Sequence, residues 1–273
     1  MTSNPNPLRL FGWPRTLAAV IFFAVFFVGC SEHQSATPMP SQIIDLSPTL
    51  RASSPSELLG DVITQAFGIP SETTFEHHFQ HEPFYYGMSL ITLHDHVGPH
   101  ADAPIHMIEG GKTIEDMPLD KLFGPAHVLD FRAKTIDEPL VPSDFEDKAI
   151  KPGEIVIVVI DYQPPSSPEE IPSYAYLSGE AAEYLASIPV RAFASNMPSA
   201  GSLKRYGALM AEDPNTEHIF PEHLAFLRNE IPLIEGLTNV EALIGKERIV
   251  FVGFPLKLEG AGGGLIRAAA LVY

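Results

Sequence analysis

Thirteen consecutive residues, His94-Asp95-His96-Val97-Gly98-Pro99-His100-Ala101-Asp102-Ala103-Pro104-Ile105-His106, carry four of the chain's eleven histidines. Imidazole and carboxylate ligands suit Zn²⁺, Mn²⁺ and Fe²⁺, and imidazole also moves protons near neutral pH. The His96-x3-His100 spacing would put two imidazoles on one helical face, but Gly98, Pro99 and Pro104 are poor helix residues. The segment is instead predicted to be a stiff, extended turn after a strand that ends near Leu93. In such a turn His100, Asp102 and His106 can converge, with His96 folded back by a bend at Gly98. A solvated His-rich loop, or core histidines bonded to backbone carbonyls, would have the same spacing.

The rest of the composition narrows the chemistry. A single cysteine, Cys30, excludes an intrachain disulfide framework and a cysteine-rich zinc module, so any metal must be held by His and carboxylates. No Gly-x-Ser-x-Gly elbow is present, so covalent acyl-enzyme chemistry has no evident nucleophile. Lys and Arg total 17 against 34 Asp and Glu, a net charge of −17 that repels nucleic-acid phosphates and anionic membrane surfaces. A strongly anionic substrate would need local cations, for which Lys204, Arg205 and Arg267 are the candidates.

These residues need a scaffold, and 273 residues with 45% hydrophobic content can build one sizeable core. Helical spacing and a serine N-cap candidate mark Ser56–Phe67; Ser178–Ser187 is a stronger helix, capped by Ser178. Pro221–Glu230 starts with proline at a first helical position and must end before Pro232. Strands are predicted at 86–93, 126–131, 154–160, 191–195, 248–254 and 266–272. The run EIVIVVI (154–160) is apolar on both faces, as suits a central strand covered on both sides. The mixture reads as α/β or α+β, a single domain over 43–273 with a mixed sheet core flanked by helices.

Residues 1–29 read as an address. Arg9 and Arg15 precede an apolar run from Thr16 to Gly29, fourteen residues long. That is short of the roughly 20 needed to span a bilayer as a helix, and the shape is that of a signal peptide. Phe27-Val28-Gly29-Cys30 resembles a bacterial lipobox, which implies an exported protein on the periplasmic side, lipid-anchored through Cys30. An ordinary secreted protein with an incidental Cys30 is the alternative. Residues 30–42 have the polar, proline-containing composition of a flexible tether. Cleavage would also remove Trp13, the only tryptophan.

HVGPHADAPIH (96–106) resembles the His-x-Gly-Thr-His-x-Asp-x-Pro-x-His signature of the cyclase family, metal-dependent hydrolases that include bacterial kynurenine formamidase and isatin hydrolase. The likeness continues in IIDLSPTL (43–50), GKTIEDMPLDKLFGPAHVLDF (111–131), AIKPGEIVIVVID (149–161), LSGEAAEYLA (177–186) and FPLKLEGAGGGLIRAAAL (254–271). It therefore implies a cyclase-like fold over nearly all of 43–273. It also implies two divalent metals per chain, Zn²⁺ foremost with Mn²⁺ as the alternative. His96, His100 and Asp102 would hold the first; Asp102, as a bridge, with His223 and Glu235 would hold the second. His223 and Glu235 have the family's twelve-residue spacing. His106 would be the general acid/base, while His94, His127 and His218 match no functional position.

The implied activity is hydrolysis of a carbon–nitrogen amide bond by metal-activated water, with arylformamidase action on an N-formylkynurenine-like small molecule foremost. A cyclic amide or lactone hydrolase, or a non-catalytic periplasmic metal-binding lipoprotein, is the alternative; a structural domain with incidental histidines would bind no metal at all. A homodimer or homotetramer is also implied. The sequence departs from the family at Pro99, where Thr is usual, at Asp161-Tyr162, where many relatives have Gly-Trp, and at Asn196 and Gly201, where acids are frequent. None of these removes an implied ligand, but they leave the substrate open.

Overall fold

The computed structural model describes residues 38–51, 73–164, 170–213 and 218–273. The expected signal segment, most of the tether and the Ser56–Phe67 helix lie outside the described residues. A nine-stranded sheet organises what is described, in the order β1-β13-β11-β5-β7-β9-β10-β4-β12. These strands are β1 (Gln42–Asp45), β4 (His100–Asp102), β5 (Phe123–Asp130), β7 (Ile155–Val159), β9 (Ala192–Ser195), β10 (Leu233–Glu235), β11 (Ile249–Val252), β12 (Gly263–Leu265) and β13 (Ala269–Val272). Neighbours among β5, β7, β9 and β10 run parallel, and every other pairing within this sheet is antiparallel. The sheet is mixed, as the composition of its strands predicted.

β7 shows why the sheet is buried on both sides. Its sequence, IVIVV, sends Val156 and Val158 into one apolar cluster and Ile155, Ile157 and Val159 into another, following the two-residue period of a strand. Each such side chain, fully buried, contributes roughly 1.5–3 kcal/mol of hydrophobic stabilisation. The first cluster is completed by three helices: α1 (Gly179–Ser187), α2 (Leu203–Glu212) and α3 (Pro221–Leu227). The second is closed by β1, β11 and β13 with the short 3-10 turns at 114–116, 119–122 and 240–243. Among the described residues the helices therefore cover one face only, which refines the expectation of a sheet flanked by helices.

Local signals explain the helix ends. The Ser178 hydroxyl accepts from the Ala181 amide at 3.1 Å and caps α1. Ser202 caps α2 in the same way through the Arg205 amide at 3.2 Å. α3 starts at Pro221 as predicted but ends at Leu227 rather than Glu230. There the Ile231 amide bonds back to the Phe226 carbonyl and the Glu230 amide to that of Leu227, with Glu230 in the left-handed region at φ 53°. This pattern closes a helix end, and Pro232 bars any continuation.

Two elements stand apart from the main sheet. β2 (Thr74–Gln80) and β3 (Tyr86–Thr92) form a separate antiparallel hairpin with register Thr74↔Thr92, and β6 (Pro139–Leu140) pairs with β8 (Tyr176–Leu177). The hairpin exposes Phe79, Phe84, Tyr85, Tyr86, Met88, Leu90 and Ile91. No helix of the described residues is long and apolar enough to cross a membrane.

Candidate metal centre

The register of three strands assembles the site. β4 lies between β10 and β12, with Asp102 opposite Leu233 and Gly263, and His100 opposite Glu235 and Leu265. Alternation along β4 puts His100 and Asp102 on one face and sends Ala101 into the apolar core. Glu235 joins that face as the direct cross-strand neighbour of His100. The sequence predicted an extended turn here; the segment indeed has no α-helix, but His100–Asp102 is a strand in the main sheet and Pro104–His106 a 3-10 turn. A three-residue strand flanked by turns carries too little periodicity to be read from sequence.

His96 reaches the same place from the turn before β4, where Gly98 takes φ 63°. Its ring lies over Gly263, where any Cβ would sit 2.8 Å from it. Glycine in β12 is thus a requirement of the site rather than of the strand. His223 enters from the first turn of α3 and is buried. His106 ends a 3-10 turn that begins at Pro104, with its ring 4.2 Å from that of His96 and 6.0 Å from that of His223. The six residues singled out in sequence, His96, His100, Asp102, His106, His223 and Glu235, are brought together.

The two oxygens of Asp102 face different partners. Oδ1 lies 3.2 Å from His96 Nε2 and 3.3 Å from His100 Nε2, while Oδ2 lies 3.8 Å from His223 Nε2. Glu235 repeats the division, with Oε2 at 3.7 Å from His100 Nε2 and Oε1 at 3.4 Å from His223 Nε2. Glu235 is steadied by the Ala200 amide, which donates to Oε1 at 2.7 Å. His100 donates through Nδ1 to the Gly98 carbonyl at 2.8 Å, which leaves Nε2 with its lone pair toward the cluster. His96 is oriented likewise by Asp95, 2.8 Å from Nδ1. Sequence reasoning missed Asp95, whose one signal is its place inside the histidine segment.

Burial and charge set the protonation states. Burial works against a charged His96, but the nearby carboxylates of Asp102 and Asp95 outweigh it and raise the imidazole to about 10. Burial dominates at His106 and pushes it down to about 3, despite the attraction of Asp102. For Asp102 burial opposes ionisation, and the surrounding His106, His100 and His96 hold the carboxyl well below its ordinary value. Both oxygens of this buried carboxylate nevertheless lack a hydrogen-bond partner, as do His96 Nε2 and His223 Nδ1. Buried charge without partners is strongly unfavourable, so the donor set fits a divalent cation.

The other marked residues fall into supporting places. His127 pairs with Glu154 at 3.2 Å. The His94 ring accepts the His96 amide at 3.2 Å. Asn196 binds both the amide and the carbonyl of Ile160, tying the ends of β7 and β9 together. Gly201 lies against Tyr206 and Glu222, where a Cβ would collide with both; Tyr206 donates to Glu222 at 2.8 Å. That packing leaves no room for an acid at position 201. The three candidate cations each face a carboxylate already: Lys204 with Asp137 at 3.0 Å, Arg205 with Glu222 at 3.4 Å and Arg267 with Asp45 at 2.9 Å.

Comparison with known proteins gives this geometry a family. The family described as "Putative cyclase" matches residues 44–201, more than half of the chain. The chain belongs to the cyclase family. The matched stretch holds His96, His100, Asp102 and His106 and stops before His223 and Glu235, which the fold itself carries to the site. Kynurenine formamidase of Delftia acidovorans is 27% identical over 183 residues, covering 66% of this chain and 78% of that protein. Isatin hydrolase of Roseibium aggregatum is 27% identical over 209 residues, covering 69% and 76%. The solved structure of isatin hydrolase A from Labrenzia aggregata bound to benzyl benzoate overlays with a TM-score of 0.70 at 21% identity, covering 85% of this chain and 93% of that one. As a member of this family the chain is a hydrolase, with a His/Asp/Glu cluster suited to a divalent metal.

Proposed function

We propose that the chain hydrolyses the carbon–nitrogen amide bond of a small molecule, most closely an aryl formamide of the N-formylkynurenine type. The observation that carries this reading is Asp102: a buried carboxylate whose two unpartnered oxygens face histidines on opposite sides. Such a carboxylate suits two cations, with His96, His100 and Asp102 holding one, and Asp102, His223 and Glu235 the other. Zn²⁺ suits the set best, and Mn²⁺ and Fe²⁺ share its ligand preferences. When bound, the metal would supply the Lewis acidity that makes water nucleophilic near neutral pH and polarises a carbonyl.

The chain's own residues handle the protons. His106 is half-buried at the edge of the cluster, its ring 4.2 Å from that of His96 and 6.0 Å from that of His223, and its imidazole would accept a proton from the attacking water. It then returns that proton to the departing nitrogen, which leaves poorly as an anion. Asp102 and Glu235, both buried, keep negative charge fixed at the cluster.

A cyclic amide is the second substrate class, favoured by the equal likeness to isatin hydrolase. The decisive experiment measures metal content by elemental analysis together with hydrolysis of N-formylkynurenine and isatin, with and without chelator. Chelator-sensitive turnover of the formamide supports the first reading, and turnover of isatin alone replaces it with the second. Two metals without turnover of any amide point to a metal-binding lipoprotein, and absence of metal overturns the assignment.

The proposal extends to the cellular setting. Export with lipidation at Cys30 is tested by mass spectrometry of the protein purified from membranes, where an unmodified N-terminus would refute it. A homodimer or homotetramer is supported by the apolar side chains that the β2–β3 hairpin exposes, Phe84 at 72% and Tyr85 at 79% among them. Light scattering on the purified protein reads the assembly directly.

A further inference from the structure

His94, Asp95 and His96 form a third group of metal-ligand side chains beside the site. Their hydrogen bonds show a different use. One oxygen of Asp95 lies 2.8 Å from His96 Nδ1, and the other accepts the Gly263 amide at 3.1 Å. A single carboxylate thus ties the ring of a turn residue to the backbone of β12. His94 accepts the His96 amide at Nδ1, and both oxygens of Asp95 are engaged, one by His96 and one by the Gly263 amide.

We infer that Asp95 is a positioning residue for His96, clamping the imidazole between its carboxylate and Gly263 so that Nε2 points at Asp102. The inference rests on the metal-site reading above and deepens it. The Nδ1 contact with Asp95 fixes the ring so that Nε2 faces inward, 3.2 Å from Asp102 Oδ1, where it would offer its lone pair to a cation that displaces its proton. The ring cannot retreat, because Gly263 backs it at contact distance. His100 is oriented by a neutral acceptor, the Gly98 carbonyl, whereas His96 has an anion behind it. A carboxylate acceptor makes an imidazole a more basic ligand than a carbonyl does, so the ion on the His96 side gains the most from this arrangement.

The test is a Co²⁺ titration of the full, chelator-stripped protein against a competing chelator, read by visible absorption. Asp95→Asn keeps the shape of the side chain and removes its charge; Asp95→Ala removes both. The expected result is a loss of affinity for one equivalent of Co²⁺, on the order of 10-fold to 100-fold, with an altered spectrum for that equivalent. The metal-free Asp95→Asn protein should keep the wild-type circular dichroism and a single cooperative unfolding transition, which separates positioning of the ligand from general damage. If Asp95→Ala does not fold, Asp95→Asn decides alone. Wild-type affinity and spectrum in Asp95→Asn overturn the inference while leaving the metal site intact. Failure of the wild-type protein to take up Co²⁺ overturns the metal-site reading and this inference with it.

Discussion

The roles proposed for Asp102, by charge, and His106, by proton transfer, are separable by substitution. His106→Ala should leave metal content unchanged and reduce turnover by about 10²- to 10⁴-fold, the usual worth of a general acid/base. Elemental analysis and rate measurement on one preparation check both halves; intact turnover would remove His106 from the mechanism. Gly263→Ala probes the ring above it. A methyl group 2.8 Å from the His96 imidazole must displace that ring, so metal affinity should fall while the short strand β12 still pairs, which a metal titration and circular dichroism would show together. Away from the site, Glu138 accepts from the Thr135 amide and hydroxyl and from Lys134. The Thr135 amide contributes most to holding the Glu138 carboxyl down at about 2, below its ordinary 4.5. A depressed carboxylate stabilises the fold at pH values above its unfolded pKa, and that contribution disappears as pH falls through the folded one. Glu138→Gln should therefore be less stable than wild type at pH 6, with the gap closing toward pH 2 in urea unfolding curves.

At the scale of elements, stability resides in the layer between the sheet and its helices. Phe193 of β9 stacks on Phe226 of α3 with ring centroids 5.1 Å apart, both fully buried. Phe193→Ala should cost about 3–5 kcal/mol, and because α3 carries His223, metal affinity should fall as well. Ser178→Ala removes the α1 cap and should cost about 1 kcal/mol with no effect on metal binding; denaturant unfolding measures both variants. Elements with strong periodicity or a cap were legible in the sequence. IVIVV announced a strand covered on both sides, and Ser178 and Pro221 marked helix starts that the structure reproduces. β4, β10 and α2 were not. The first two are three residues long, and α2 carries Gly207 in its interior, where glycine costs helix about 1 kcal/mol relative to Ala. The site followed the same division. His96, His100, Asp102 and His106 stand in one segment, whereas His223 and Glu235 are joined to it by strand register and by helix packing, and no local spacing encodes either. The family resemblance supplied what the spacing lacked.

For the whole molecule, the proposed ligands would act as a clasp between distant parts of the chain. A metal bound to the folded state alone adds about 2.7 kcal/mol at a concentration 100 times its dissociation constant. Stripping the metal should accordingly lower the melting temperature, and re-addition should restore it in a calorimetric scan; a melting temperature indifferent to metal would argue that the cluster holds none. β4, which bears His100 and Asp102, finds its sheet partners only in β10 and β12, more than a hundred residues further along. Contacts so distant in sequence form late and slowly. The first half of the chain therefore emerges with its histidine segment complete but with neither strand neighbours nor the second pair of ligands. Tight capture of a metal thus becomes a marker of completed folding, and a chain interrupted before Glu235 would hold the signature motif without the centre it signals.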